Sequence, residues 1–133
     1  MKPGRCKYLL DTHALIWAAM DEDRLSRKAA RIIATTPYSQ LALADVSLQE
    51  IGLLLHLNKI TVTGKPERVL GTLLNYVTVL PITLDIAIKS PALKLPHGDQ
   101  FDRIITATAK VHRLTLITKD ANITDSGTVP CLW

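Results

Sequence analysis

The sequence has little of what would assign a chain to a specialised class at a glance. Its two cysteines, Cys6 and Cys131, lie near opposite ends and have no metal-ligand spacing. That excludes a disulfide framework, and both read as reduced core or strand residues. No apolar run approaches the ~18 residues that a membrane span needs. The first residues, Met1-Lys2-Pro3-Gly4-Arg5, are basic, but Asp11 interrupts the stretch that a signal peptide would require. A cytoplasmic protein without membrane contact is expected. There is no internal repeat, low-complexity tract or linker, and no Gly-rich phosphate loop, Walker motif or nucleophile elbow.

What is present suits one soluble domain over residues 1–133. Apolar residues make up 47% and charged residues 21% of the chain, the balance of a globular protein. Sixteen Lys and Arg against twelve Asp and Glu give a formal charge of +4. That excess permits a polyanionic partner without requiring one.

Short apolar runs alternate with longer amphipathic segments. Residues 6–10, 41–44, 78–80, 114–118 and 129–132 read as strands, the last an edge strand because it holds Pro130. Residues 13–20, 26–35, 47–55, 66–76 and 100–112 read as helices, with a short one between Thr83 and Pro91. Ser26, Ser47 and Thr83 are placed as their N-caps. Residues 94–99 read as a loop. This alternation predicts an α/β fold, a parallel sheet covered by helices on both faces. Ligands of such sheets gather outside the carboxyl ends of the strands.

Acids stand at those ends or in the first turns of helices. Asp11 follows the first strand and Asp120 the strand at 114–118. Glu50 lies three residues after Ser47. Asp102 starts the helix at 100–112, with Asp99 just ahead of it. Carboxylates gathered at one rim repel each other and raise each other's pKa, so the cluster calls for a cation. Hard oxygen donors suit Mg²⁺ or Mn²⁺, and the lack of His or Cys at these positions argues against zinc. Such an ion could serve phosphodiester cleavage.

Plainer readings stand beside these. Ser47 and Glu50 have the spacing of a capping box. Asp102 could merely favour a helix N-terminus, and Asp11 and Asp120 could be turn residues. Thr12 and Thr118 offer hydroxyls to orient a carboxylate or a water. Arg103 could bind phosphate or pair with an acid. Lys119 could meet an anionic backbone or be a solvated surface lysine. His13 could contact substrate or pack on its helix, while Trp17 and Trp133 read as packing residues. A haloacid-dehalogenase-like phosphatase would want a second acid two residues after Asp11, where the chain has His13. A receiver domain would want a paired acid cluster before the first helix.

Four ordered segments resemble a known family. They are Leu9-Leu10-Asp11-Thr12-His13-Ala14-Leu15-Ile16-Trp17, Ser47-Leu48-Gln49-Glu50-Ile51, the run from His97 through Asp99-Gln100-Phe101-Asp102-Arg103 to Ala109, and Leu116-Ile117-Thr118-Lys119-Asp120. Together with the ending Leu132-Trp133, they resemble PIN domains, in particular the VapC-type ribonuclease toxins. Gln100 stands where the family most often has proline. The resemblance implies a three-layer α/β/α domain and a metal-dependent endoribonuclease that is neutralised by an antitoxin protein and forms a homodimer. It implies that Asp11, Glu50 and Asp102 are the central acids holding Mg²⁺ or Mn²⁺. Asp120 would be the fourth, and Asp99 an additional acid. A PIN scaffold that binds RNA or an antitoxin without cutting is the alternative, against which the full set of acids counts.

Overall fold

The computed structural model describes residues 6–95 and 99–133. Five strands form one sheet: β1 (Tyr8–Leu10), β2 (Leu41–Ala44), β3 (Thr78–Leu80), β4 (Thr115–Ile117) and β5 (Cys131–Leu132). Every pairing is parallel, and the order across the sheet is β3-β2-β1-β4-β5. Seven α-helices lie among the described residues: α1 (Thr12–Met20), α2 (Arg27–Thr35), α3 (Val46–His56), α4 (Pro66–Leu73), α5 (Leu84–Lys89), α6 (Gln100–His112) and α7 (Ala121–Ser126). None of them is long and apolar enough to cross a membrane.

The strands are short, and each sends successive side chains to opposite faces. Leu9, Ala42, Ala44 and Leu116 enter one core with Ile105 and Ala109 of α6 and Ile123 of α7. Their neighbours Leu10, Leu41, Leu43 and Ile117 enter the other, with Ala14, Leu15 and Ile16 of α1, Ala29 of α2 and Ile51 of α3. Both faces are therefore covered, as an all-parallel sheet requires, and the three layers are those expected from the alternation. Each fully buried Leu or Ile contributes about 1.5–3 kcal/mol.

Local chemistry sets the helix ends. Ser26 Oγ accepts from Ala29 N at 3.0 Å and Thr83 Oγ1 from Ile86 N at 3.2 Å, the caps expected of them. Two expectations change. Residues 74–76 leave the α-helix for a tighter 3-10 turn. Helix α7 was not anticipated at all, although it carries its own signals: Asp120 Oδ1 accepts from Ile123 N at 3.1 Å, and Gly127 closes the helix at φ 66°.

The connections decide where a site can lie. From β1 the chain steps to β2 and then β3 on one side; after α5 and α6 it returns to place β4 on the other side of β1. The direction of winding reverses between β1 and β4. The crevice outside their carboxyl ends is the switch point at which open α/β sheets bind ligands.

Candidate active site

Asp11 and Asp120 meet at that switch point. Asp11 N donates to Ile117 O at 3.0 Å, which carries the sheet pairing one residue past β1. The Asp11 side chain, 7% exposed, is held at both oxygens. Oδ1 accepts from Thr12 N at 2.7 Å and Oδ2 from Thr118 Oγ1 at 2.7 Å. The same Thr118 hydroxyl accepts from Asp120 N at 3.0 Å. Burial pushes the Asp11 carboxyl up, and Asp120 adds to it; the Thr118 hydrogen bond, the charge of His13 and the Thr12 amide partly offset them.

Glu50 and Asp102 approach from α3 and α6. Glu50 is half-buried, and its Oε1 has no partner among the described residues. Its carboxyl is pushed up by burial, with the like charges of Asp11 and Asp99 adding to the effect and the Thr12 hydroxyl and the charge of His13 partly offsetting it. Asp102 is also half-buried and is raised to about 7, first by burial and then by Asp11, Asp99, Asp120 and Glu50. Five acids from four parts of the sequence thus act on one another. Asp99 has a further task, because its Oδ1 caps α6 by accepting from Asp102 N at 3.1 Å.

The capping box expected at Ser47 and Glu50 is not formed. Helix α3 starts one residue earlier, at Val46, and Asp45 occupies the N-cap position. Ser47 is fully buried in the first turn, where its hydroxyl accepts from Thr12 Oγ1 at 2.8 Å. This leaves the Glu50 carboxylate unspent on the helix end. Thr12 contributes its amide to Asp11 and donates its hydroxyl to Ser47, and that hydroxyl also lies within reach of the Glu50 carboxylate.

The donor set fits a hard divalent cation. All five groups are carboxylates, one of them with an orphaned buried oxygen, and among the described residues no Lys or Arg forms an ion pair with any of them. Among the described residues, no three potential ligands are already drawn close enough to hold an ion. Asp11, Asp99 and Asp120 are instead secured by amides and a hydroxyl, and one oxygen of Glu50 is left unpaired.

Comparison with known proteins bears on this arrangement. The PIN domain profile matches residues 8–127. This chain belongs to the PIN domain family. A curated relative, Ribonuclease VapC22 of Mycobacterium tuberculosis, is 33% identical over 116 residues, which cover 86% of this chain and 88% of that protein. Among solved structures, a toxin–antitoxin complex from Klebsiella pneumoniae contains a chain that superposes with a TM-score of 0.66 at 27% identity, over 92% of this chain and 95% of that one. A chain of FitAcB from Neisseria gonorrhoeae has the same fold, with a TM-score of 0.71 at 21% identity, over 95% of this chain and 96% of that one.

Within this PIN domain several side chains differ from expectation. Among the described residues Arg103 pairs with no acid: its Nη1 and Nη2 donate to Leu93 O at 2.8 Å and Leu95 O at 3.3 Å. It holds the segment that leads into α6. His13 is exposed rather than packed inside its helix, and its ring lies 5.7 Å from that of Trp17. His97 lies outside the described residues. Asp45 was overlooked, although it directly follows β2. Its Oδ2 accepts from Ile82 N at 3.0 Å, tying the entry of α3 to the exit of β3.

Proposed function

We propose that this PIN domain is an endoribonuclease that hydrolyses RNA phosphodiester bonds with Mg²⁺ or Mn²⁺, and the toxin of a toxin–antitoxin pair. The observation that carries this is the mutual approach of Asp11, Glu50, Asp102 and Asp120 near the β1–β4 switch point, with no Lys or Arg among the described residues paired to any of them. The named activity of the relative Ribonuclease VapC22 points the same way.

In this reading those four carboxylates hold the cation, and Asp99 adds negative potential beside them. When bound, the ion stabilises charge on the phosphoryl oxygens and eases deprotonation of water. The chain's own contribution is order. Thr118 Oγ1 and Thr12 N fix the two oxygens of Asp11, each of which keeps a second lone pair for a ligand. Glu50, whose Oε1 is buried without a hydrogen-bond partner among the described residues, would be one of the groups holding the ion. Burial of Asp11 limits competition from bulk water.

The antitoxin is proposed because the chain is similar to a component of a toxin–antitoxin complex. A cleft of about 640 Å³ supports it, lined by Leu15 and Ala19 of α1, Ile33 of α2, Leu73 of α4 and Tyr76. A homodimer belongs to the same reading, and the exposed Leu53 and Leu57 at the end of α3 are apolar surface available for it. The test is cleavage of total RNA with the cut ends mapped, with Mg²⁺, with Mn²⁺ and with chelator. Discrete cation-dependent cuts that vanish in Asp11→Asn are expected. Cuts that persist unchanged in Asp11→Asn would overturn the assignment.

A further inference from the structure

Beside the acids lies a group of side chains that the proposed chemistry does not use. Trp17 of α1 is half-buried, and two cations sit over its indole ring: Arg24 Cζ at 5.5 Å and Lys119 Nζ at 5.9 Å from the centroid. Trp133 meets the same ring edge-on at 5.7 Å, and the exposed His13 lies 5.7 Å from it on the preceding turn of α1.

Position and charge make this group unusual. Lys119 stands between Thr118 and Asp120, and His13 is two residues from Asp11, so the group borders the acid rim. A lysine next to several carboxylates would ordinarily pair with one. Among the described residues Lys119 makes no such pair and rests on Trp17 instead. An aromatic ring holds an ammonium by its quadrupole without neutralising it. The charge therefore stays available to an anion, while the rim stays clear for a cation. Arg24 is braced the same way; its exposed contact with Asp21, at 3.4 Å, takes up only part of the guanidinium's donors. Lys89, by contrast, is paired with Asp85 at 3.2 Å.

We propose that Lys119 and Arg24, carried on Trp17, together with the exposed ring of His13, form a ledge that grips single-stranded RNA beside the scissile bond. The two cations take phosphates and the imidazole offers a face to a base, the combination by which proteins hold single strands. This rests on the reading of the acids as an RNA-cleaving site. Because the contacts are to backbone and base face, the ledge favours single strands without setting a sequence.

The test uses fluorescence anisotropy of a fluorescein-labelled single-stranded RNA of mixed sequence. Binding is measured at several salt concentrations with Asp11→Asn protein, so that the probe stays intact. Cleavage of the same probe is followed with the wild type. Adding Lys119→Ala and Arg24→Ala should weaken binding and lower the slope of log K against log salt by about 1.4, or about 0.7 for each phosphate contact. Lys89→Ala should leave both unchanged. If the wild type cleaves the probe but the Lys119/Arg24 double variant binds with unaltered affinity and slope, the ledge is wrong and the nuclease reading stands. An equal fall in slope for Lys89→Ala would overturn the ledge as a localised site. If the wild type does not cleave and Asp11→Asn does not bind, both readings fall.

Discussion

Thr118 Oγ1 donates to Asp11 Oδ2 at 2.7 Å, across 107 positions of sequence. The same oxygen accepts from Asp120 N. One hydroxyl thereby sets the acid that ends β1 against the acid that follows β4. Thr118→Val keeps the shape and removes the hydroxyl. Cleavage should fall about 10–100-fold, as when an outer partner of a metal ligand is lost. Thr118→Ser should retain most of the activity, and circular dichroism should show the fold intact in both. Full activity in Thr118→Val would contradict this role.

Thr12 and Ser47 share one buried hydrogen bond, at 2.8 Å. Removing either hydroxyl leaves the other without this partner in a dry site, at a cost of about 1–3 kcal/mol. Thr12→Val with Ser47→Ala removes both, and the double variant should cost clearly less than the sum of the singles. Urea denaturation of the four proteins measures this coupling. Strict additivity would mean that Ser47 serves only its own helix.

The acid cluster gives stability a definite pH dependence. Asp102 ionises near 3.8 when unfolded and near 7 when folded. Between those values the folded protein binds more protons than the unfolded chain, so this contribution is complete below about pH 4 and is lost as pH rises through 7. Asp11 and Glu50 are shifted in the same direction. In chelator, the melting temperature should decline from pH 5 to pH 8. The gain from added Mn²⁺ should grow over the same interval, because the ion needs the carboxylates ionised. Thermal melts in both conditions check the two slopes; a rising trend in chelator would contradict the clustering.

Arg103 is expected to act on folding rather than on substrate. Arg103→Ala frees the carbonyls of Leu93 and Leu95 and should cost about 1.5–3 kcal/mol, the range for a charged hydrogen-bond donor. Limited proteolysis should find the segment ahead of α6 more open. The salt dependence of RNA binding should not move, because no phosphate contact is lost.

Much of the fold was legible because period and punctuation agreed. Leu41-Ala42-Leu43-Ala44 is a buried strand in any reading, and Ser26 announced α2. The acids stand out in the sequence for a different reason: strand ends and helix starts fall at one edge of a parallel sheet. What could not be read was how each polar group spends its hydrogen bonds. Ser47 and Glu50 have the spacing of a capping box, but Thr12, thirty-five positions away, claims the serine. Arg103 reads as a partner for phosphate or an acid because carbonyl acceptors leave no trace in residue type. Trp17 looked like a packing residue, and only the fold brings Arg24 and Lys119 over it. Helix α7 escaped because its six residues show too little periodicity, though Asp120 and Gly127 mark both ends.

The most direct test of the central claim is the rate of RNA cleavage as a function of Mn²⁺ concentration for the wild type and Asp102→Asn. The wild type should be inactive in chelator and rise to a plateau with the ion. Asp102→Asn should lose more than about 100-fold, beyond the loss from an outer partner. Relieved of one like charge, it should also melt at a higher temperature than the wild type in chelator at pH 8, which separates lost chemistry from lost structure. Cleavage by Asp102→Asn at the wild-type rate, or by the wild type in chelator, would contradict an acid-held cation at the β1–β4 switch point.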